Sequence, residues 1–221
     1  MTASNVQHVD LTPVSSSTLI NVADSTNVFT QVGGRIALNN AGTVVFSGMN
    51  TLGAGVNSGI FTGNGSVTIL VADSTTVGSR YFSRGPSGIS DSGTTVFIGT
   101  GVESPNQKVV VHKNGSYSAV VANNGSQFEY LSNAAINISG QVGFTTDDYS
   151  TGNNNGAFAY RTNPGTAPFK ISRVVTATSV GVNDAGVMSF EAAAADGNSF
   201  SSTGLVTRTA LKQPSLPKPV V

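Results

Sequence analysis

Asparagine and aspartate side chains recur at equivalent places along this sequence of 221 residues, and they are its best candidates for chemistry. Asp24 and Asp73 both lie in the pentapeptide Val-Ala-Asp-Ser-Thr, where each is predicted to end a strand. Asp91, Asp184 and Asn40 each precede a predicted strand. Oxygen atoms repeated around a central opening could bind a cation, water or a polar ligand, and the alternative is that these side chains cap turns.

A second acidic group lies in the stretch "FTTDDYSTGNNNG", which contains Asp147 and Asp148. Ca²⁺ takes about six to eight oxygen ligands, and an oxygen-rich loop of this kind can supply them. The spacing differs from that of an EF-hand and lacks its closing glutamate. We therefore expect a polar hairpin loop with no metal or cofactor, and the alternative is a Ca²⁺ site that these two residues help to form.

Catalytic signatures do not accompany these residues. The chain has two histidines, no cysteine, no HExxH motif and no GxSxG motif, so the common zinc, thiol and serine sites lack their residues. The catalytic residues of any enzyme activity are thus unknown. Tyr81 and Tyr160 are candidates for stacking against a ligand, although a place in the core or at a rim fits them equally.

A repeated turn and strand must position these residues. Four copies share an aliphatic residue, Asn or Ser, a small residue, Gly and then Phe, and their glycines are spaced 51, 47 and 46 residues apart. The short polar side chain bonds to its own backbone while Gly supplies a positive φ, so each copy predicts a turn followed by a half-buried strand. The copies are LNNAGTVVF from Leu38, ISDSGTTVF from Ile89, INISGQVGF from Ile136 and VNDAGVMSF from Val182.

Further strands follow in most copies. A second strand begins near Gly59, Lys108, Gly156 and Gly204, and a third begins near Ser66, Tyr117 and Phe169. The turns Asn64-Gly65 and Asn114-Gly115 between them are strong hairpin signals. Variable segments with aromatic residues, "RYFSR" and "FEYLS", are candidates for a fourth, outer strand.

Ring closure accounts for the recurring pentapeptide. The fourth copy has two strands, and residues 17–34 resemble the third strand that it lacks. We therefore predict an all-β fold: a four-bladed β-propeller with a repeat of about 47 residues and one blade shared between the termini. A β-sandwich or open β-array, and a larger ring built from two chains, are the alternatives.

The predicted domain organisation follows from these repeats. Residues 17–209 form a single propeller domain with repeats starting near 38, 89, 136 and 182, and residues 17–34 complete the last one. Residues 1–16 are expected to be a flexible N-terminus, and residues 210–221 a Pro-rich tail.

The repeated unit, written IN-x-x-G-x-V-x-F, GIF-x-G-x-G and ILVAD, resembles the NxxGxxxAF-type tandem repeats of bacterial secreted or surface proteins. The resemblance covers about residues 17–209, with Ser90 in place of the Asn and "KVVVH" in place of the Gly-Ile-Phe strand in the second copy. It implies an extracellular, non-catalytic domain of β-propeller-like repeats. It carries over no catalytic residues.

Charge and hydropathy limit the partners. The net charge is 0 and no basic cluster exists, which argues against nucleic acid and anionic membranes. No apolar run reaches the ~18 residues of a membrane span, and the first residues lack the pattern of a signal peptide. We expect an extracellular or cell-surface protein if a signal was removed and a cytoplasmic one otherwise, present as a monomer or homodimer.

Three functions therefore stand open, and the last of them is a structural part cut from a longer surface protein, with little ligand binding of its own. The first is a non-catalytic binding or scaffold module that presents loops to a glycan, protein or surface partner. The second is an enzyme that uses a central channel, with a divalent cation held by the repeat-related carboxylates.

Overall fold

The computed structural model describes residues 19–24, 29–50, 57–73, 81–101, 106–123, 128–148, 157–173, 180–192 and 204–209. Every regular element in this part of the chain is a β-strand, and none of it is helical. The all-β prediction is confirmed for these residues. Within them, no helix is long and apolar enough to cross a membrane. The predicted N-terminus (1–16) and Pro-rich tail (210–221) lie outside the described residues.

In the described residues, the strands form four antiparallel sheets, and within each sheet they lie in chain order. The first sheet contains β1 (Phe29–Leu38), β2 (Val44–Asn50), β3 (Asn57–Gly63) and β4 (Thr68–Asp73). The second contains β5 (Tyr81–Ile89), β6 (Thr95–Gly101), β7 (Gln107–Lys113) and β8 (Ser116–Ala122). The third contains β9 (Phe128–Ile136), β10 (Val142–Asp148), β11 (Ala157–Thr162) and β12 (Phe169–Arg173), and the fourth contains β13 (Val180–Val182), β14 (Val187–Ala192) and β15 (Gly204–Thr209).

The repeated segment folds as the same turn four times. In turn 1 (39–42), the Gly42 N–H donates to the Asn39 carbonyl at 3.1 Å, and the Asn39 side-chain oxygen accepts from the Thr43 N–H at 2.8 Å. Gly42 has a φ of 77°, which an L side chain rarely adopts. The same backbone bond closes turn 2 (90–93), turn 3 (137–140) and turn 4 (183–186). The local chemistry of Gly with Asn, or with Ser90 in turn 2, therefore sets where each hairpin reverses.

The phenylalanine of each repeat is buried, which agrees with the predicted apolar strand face. In the first sheet, Phe46 packs against Phe29 and Phe61 with ring centroids 5.6 and 5.8 Å apart. In the third sheet, Phe144 packs against Phe128 and Tyr160 at 5.8 and 5.6 Å. The four repeated phenylalanines, each at most 2% exposed, are Phe46, Phe97, Phe144 and Phe190.

The fourth strand of the repeat lies at a different edge from the one predicted. "RYFSR" and "FEYLS" begin β5 and β9, which pair with the strand after the turn. These strands face the neighbouring sheets, because β5 contacts β1 and β9, and β9 also contacts β13. The expectation of an outer strand is therefore wrong, and in β9 the 4% exposed Phe128 packs in the core.

The N-terminal segment also lies elsewhere than predicted. Residues from Phe29 onward form β1 of the first sheet, while residues 19–24 form no strand and lie beside the first sheet, where Val22 packs on the aromatic cluster of Phe29, Phe46 and Phe61. The fourth sheet has three strands among the described residues. The prediction that residues 17–34 complete the last repeat is wrong for residues 29–34, because these pair with β2 in the first sheet. Residues 19–24 form no strand, and Leu19 and Ile20 are exposed.

Candidate functional site

The four equivalent turns line one cavity, which we call the turn cavity. Its volume is about 230 Å³. Each turn contributes the last residue of the preceding strand and the first two residues of the turn. The lining residues are Leu38, Asn39 and Asn40; Ile89, Ser90 and Asp91; Ile136, Asn137 and Ile138; and Val182, Asn183 and Asp184. The structure thus brings together three of the predicted site residues, namely Asn40, Asp91 and Asp184.

Turns 1 and 2 are joined by a brace of side-chain hydrogen bonds. The buried Asn39 amide donates to the Ser90 carbonyl at 3.0 Å. The Asn40 backbone N–H and its side-chain amide donate to the two carboxylate oxygens of Asp91, each at 2.8 Å. Both oxygens of Asp91 therefore already accept hydrogen bonds from the preceding turn.

Turns 3 and 4 repeat this brace. The Asn137 amide donates to the Asn183 carbonyl at 2.9 Å, and the Ile138 N–H donates to an Asp184 carboxylate oxygen at 3.1 Å. Arg161 adds a bond from its guanidinium to the Gly186 carbonyl. Burial lowers the pKa of Arg161 from its ordinary value, yet an arginine stays protonated and keeps its donors.

The other repeat-related carboxylates lie outside the turn cavity. Asp24 accepts a hydrogen bond from the Asn21 amide at 2.6 Å beside the first sheet. Asp73 ends β4, pairs with Gly59 and is 6% exposed. Of the two repeat-related sets, Asp91 and Asp184 line the turn cavity with Asn40, whereas Asp24 and Asp73 do not line it.

The two candidate tyrosines differ in what the structure describes. Tyr160 is 2% exposed, and its ring stacks on Phe144 with an interplanar angle of 11°. A ligand at the surface cannot stack on this ring, so the ligand-binding prediction for Tyr160 is corrected to a core role. Tyr81 begins β5 opposite Gly101, and its side chain is outside the described residues.

The candidate Ca²⁺ residues lie at the end of a strand. Asp147 pairs with Ala157 and Asp148 with Phe128, while their side chains and the following loop, 149–156, lie outside the described residues. Among the described residues, no three His, Cys, Asp or Glu side chains come together as a metal site would require. The Ca²⁺ prediction thus falls on a segment of which the structure describes only the backbone of two residues.

A larger cleft lies between the second and third sheets, and we call it the intersheet cleft. Its volume is about 640 Å³. Turns 2 and 3, β7, β8 and the hairpin 163–166 form its walls. Its polar lining includes Ser90, Ser92, Thr94, Lys113, Ser118, Asn163 and Thr166, and its apolar lining includes Val111, Val120 and Val142.

Sequence reasoning missed this cleft, although one signal for it was present. Ser90 stands where the other three turns have Asn, and Ile138 stands where they have Asn or Asp. Asn at the first of these positions and Asn or Asp at the second form the braces between turns. The two substitutions fall on the same pair of turns, which is the pair that faces the intersheet cleft.

His112 lies near the cleft without lining it. Its ring packs against Tyr117 with centroids 4.9 Å apart. Burial lowers the pKa of His112 from its ordinary value of 6.5. The half-buried imidazole therefore favours the neutral form at pH 7, which suits a packing role for this side chain.

Comparison with known proteins supports the arrangement of sheets. The chain is similar to the crystal structure of TolB from Acinetobacter baumannii, with a TM-score of 0.53 and 13% sequence identity over 78% of this chain and 40% of TolB. The chain thus spans less than half the length of that protein. TolB contains a β-propeller, and at this identity the likeness shows a propeller-like fold alone. No protein-family model and no curated protein matches the chain.

Proposed function

We propose that this chain is a non-catalytic binding or scaffold module whose four sheets form a four-bladed propeller. The observation that carries the proposal is the turn cavity, which equivalent residues of all four repeats line. Four sheets set around one axis would bring equivalent turns to one end of that axis. Such a scaffold presents its remaining loops and clefts to a glycan, a protein or a surface partner.

The use of the repeated carboxylates supports a binding module over an enzyme. Asp91 accepts two hydrogen bonds from Asn40, and Asp184 accepts one from the Ile138 N–H. A general acid or base needs a carboxylate that can exchange a proton with the substrate. These carboxylates instead hold neighbouring turns together, so their recurrence has a structural reason.

A glycan array probed with the labelled full chain tests the proposal, followed by mass spectrometry of any bound glycan after long incubation. The expected result is binding to a defined glycan that stays chemically unchanged. The same protein is applied to an array of immobilised surface proteins to find a protein partner. Cleavage or modification of a bound ligand contradicts the non-catalytic assignment.

A second candidate is an enzyme that uses the turn cavity with a divalent cation such as Ca²⁺. The observation that favours it is that Asp91 and Asp184 line the same cavity. Thermal melts with added CaCl₂ or EDTA separate the candidates. A binding module without a metal should have the same melting temperature with CaCl₂ and with EDTA. A rise with CaCl₂ that the double variant Asp91→Asn, Asp184→Asn loses would support the cation.

We further propose that the module works outside the cell or at its surface. The support is the resemblance of its repeats to those of bacterial secreted and surface proteins. Protease treatment of intact cells that express the complete reading frame tests the location. Cleavage before lysis is expected, and protection until lysis would indicate the cytoplasm.

A further inference from the structure

We propose that the intersheet cleft binds a short glycan that carries a single carboxylate, such as an oligosaccharide ending in a uronic or sialic acid. The inference rests on the proposed binding function and names the site and ligand class. Ligand sites in proteins typically enclose about 300–1,000 Å³, and the volume of this cleft, about 640 Å³, lies in that range.

The cleft lies between turns 2 and 3, which lack the residue types that join turn 1 to turn 2 and turn 3 to turn 4. An Asn side-chain amide of turn 1 donates to turn 2, and a carboxylate of turn 2 accepts from turn 1. Turns 3 and 4 are joined in the same way. Between turns 2 and 3, Ser90 has no amide to donate across the gap and Ile138 has no carboxylate to accept. The Ser90 hydroxyl instead bonds to Ser92 at 2.9 Å within its own turn. The second and third sheets therefore leave space at the level where hydrogen bonds join turn 1 to turn 2 and turn 3 to turn 4.

The walls of the cleft match the chemistry of a sugar. Ser90, Ser92 and Thr94 form a chain of hydroxyls with separations of 2.9 and 3.1 Å. A hydroxyl both donates and accepts hydrogen bonds, so such a chain can adapt to the hydroxyls of a saccharide. The apolar wall of Val111 and Val120 can cover the C–H face of a sugar ring.

Lys113 sets the charge of the ligand. It ends β7 and is exposed at the cleft. Among the described lining residues it is the one charged side chain, and no carboxylate opposes it. A single ammonium group favours a ligand with a single negative charge.

The opposite wall is rigid, which favours binding without rearrangement. In the hairpin 163–166, the Asn163 N–H donates to the Thr166 hydroxyl at 3.1 Å, and the Gln141 amide donates to the Asn163 side chain at 2.8 Å. Thr162 also donates to the Thr166 carbonyl at 2.7 Å. These bonds fix the wall before a ligand arrives, which reduces the entropy cost of binding.

Calorimetric titration of the full chain with sialyllactose, and with its uncharged methyl ester as the matched control, tests the inference. We expect sialyllactose to bind at least about tenfold more tightly than the ester. Lys113→Gln should remove that difference. Lys108→Gln, at the other end of β7 and outside the cleft, is the matched variant and should retain it.

A second pair of variants tests the site itself. Ser90→Asn with Ile138→Asp supplies the missing amide and carboxylate, so it should close the cleft, abolish binding and keep or raise the melting temperature. Binding that persists undiminished in this variant and in Lys113→Gln overturns the cleft but leaves the proposed binding function. If sialyllactose and its ester bind equally well, and the variant that closes the cleft binds neither, the cleft is a glycan site but the acidic ligand class is overturned. No binding of either glycan, together with binding to an arrayed protein, overturns the inference alone.

Discussion

At the scale of single residues, Asp91 shows how a side chain that could do chemistry is used for structure. Its two carboxylate oxygens accept from the backbone and side chain of Asn40 at 2.8 Å. Hydrogen bonds to a charged acceptor contribute more than neutral ones, about 1.5–3 kcal/mol. These bonds are exposed, so the lower end of that range applies.

We predict that Asp91→Ala lowers the free energy of unfolding by about 1–2 kcal/mol, because two donors of Asn40 lose their acceptor. Asp91→Asn should lose less, since its amide oxygen can still accept one bond. Urea denaturation of the three proteins measures the effect. An unchanged midpoint in Asp91→Ala would show that the bond to Asn40 does not hold the turns together.

His112 gives stability a dependence on pH. Burial lowers its pKa below the 6.5 of the unfolded chain. Between these two pKa values the unfolded chain binds more protons, so unfolding is favoured as the pH falls. The contribution of the neutral imidazole is fully present above pH 6.5 and is lost as the pH falls to the folded pKa.

We expect His112→Gln to flatten the decrease in melting temperature below pH 6.5, because glutamine does not titrate. The slope is measured by thermal melts from neutral to mildly acidic pH. Tyr117→Leu, which changes the packing partner and keeps the imidazole, is the control and should retain a slope. Identical slopes in the wild type and His112→Gln would assign the pH dependence to other groups.

At the scale of the element, the repeated turn is set by glycine φ angles that the sequence pattern predicts. Gly93 has a φ of 78°, and a Cβ there would meet nothing within 4 Å. Gly186 has a φ of 74°, and a Cβ there would lie 2.7 Å from the Gln141 side chain and 2.8 Å from Arg161. The same turn therefore tolerates a side chain differently in different sheets.

The expected cost of Gly93→Ala is about 1–2 kcal/mol, which is the backbone cost of a left-handed alanine. Gly186→Ala should cost more, since Gln141 and the bond from Arg161 must also shift. Gly33→Ala, in a strand with open space around it, should be close to neutral. Chemical denaturation of the three variants ranks their losses in free energy of unfolding. Equal losses for Gly93→Ala and Gly186→Ala would contradict the crowding at turn 4.

The strand cores offer a second test at this scale. Phe144 is fully buried between Phe128 and Tyr160, so Phe144→Ala should cost about 3–5 kcal/mol. Ile36 is 71% exposed, and Ile36→Ala should change stability by less than about 0.5 kcal/mol. Denaturation midpoints compare the two. A small loss in Phe144→Ala would mean that the third sheet does not depend on its aromatic cluster.

Features that depend on residues close together in the sequence could be predicted, whereas features that depend on residues far apart in the sequence could not. The turns follow from local chemistry: Asn39 and Gly42 lie three residues apart and close the hairpin by themselves. The buried place of Tyr160 depends on Phe128 and Phe144 in other strands, which its own neighbours do not reveal. The intersheet cleft depends on Ser90 and Ile138 together, and a single departure from the pattern does not predict it.

At the scale of the whole molecule, the unequal joining of the turns predicts unequal protection of their amides. The Asn40 and Ile138 N–H groups donate to Asp91 and Asp184. In the same pattern the Asp91 N–H would need an acceptor from residue 138, and the Ile138 side chain supplies none. Hydrogen exchange should therefore be slower at Asn40 and Ile138 than at Asp91. Faster exchange at Asn40 than at Asp91 would contradict the braces.

Ring closure within one chain is the final whole-molecule test. If the four-bladed arrangement is correct, turns 1 and 4 are neighbours, and the exposed residues Ala41 and Ala185 lie close together. The chain has no cysteine, so the double variant Ala41→Cys, Ala185→Cys offers two thiols to a short bismaleimide. A crosslink within the monomer is expected, seen as faster migration under denaturing conditions.

Ala41→Cys with Asn114→Cys, at the hairpin between β7 and β8, is the matched pair that should not crosslink. Covalent dimers from the first pair would instead indicate a larger ring built from two chains, with turn 4 of one copy beside turn 1 of the other.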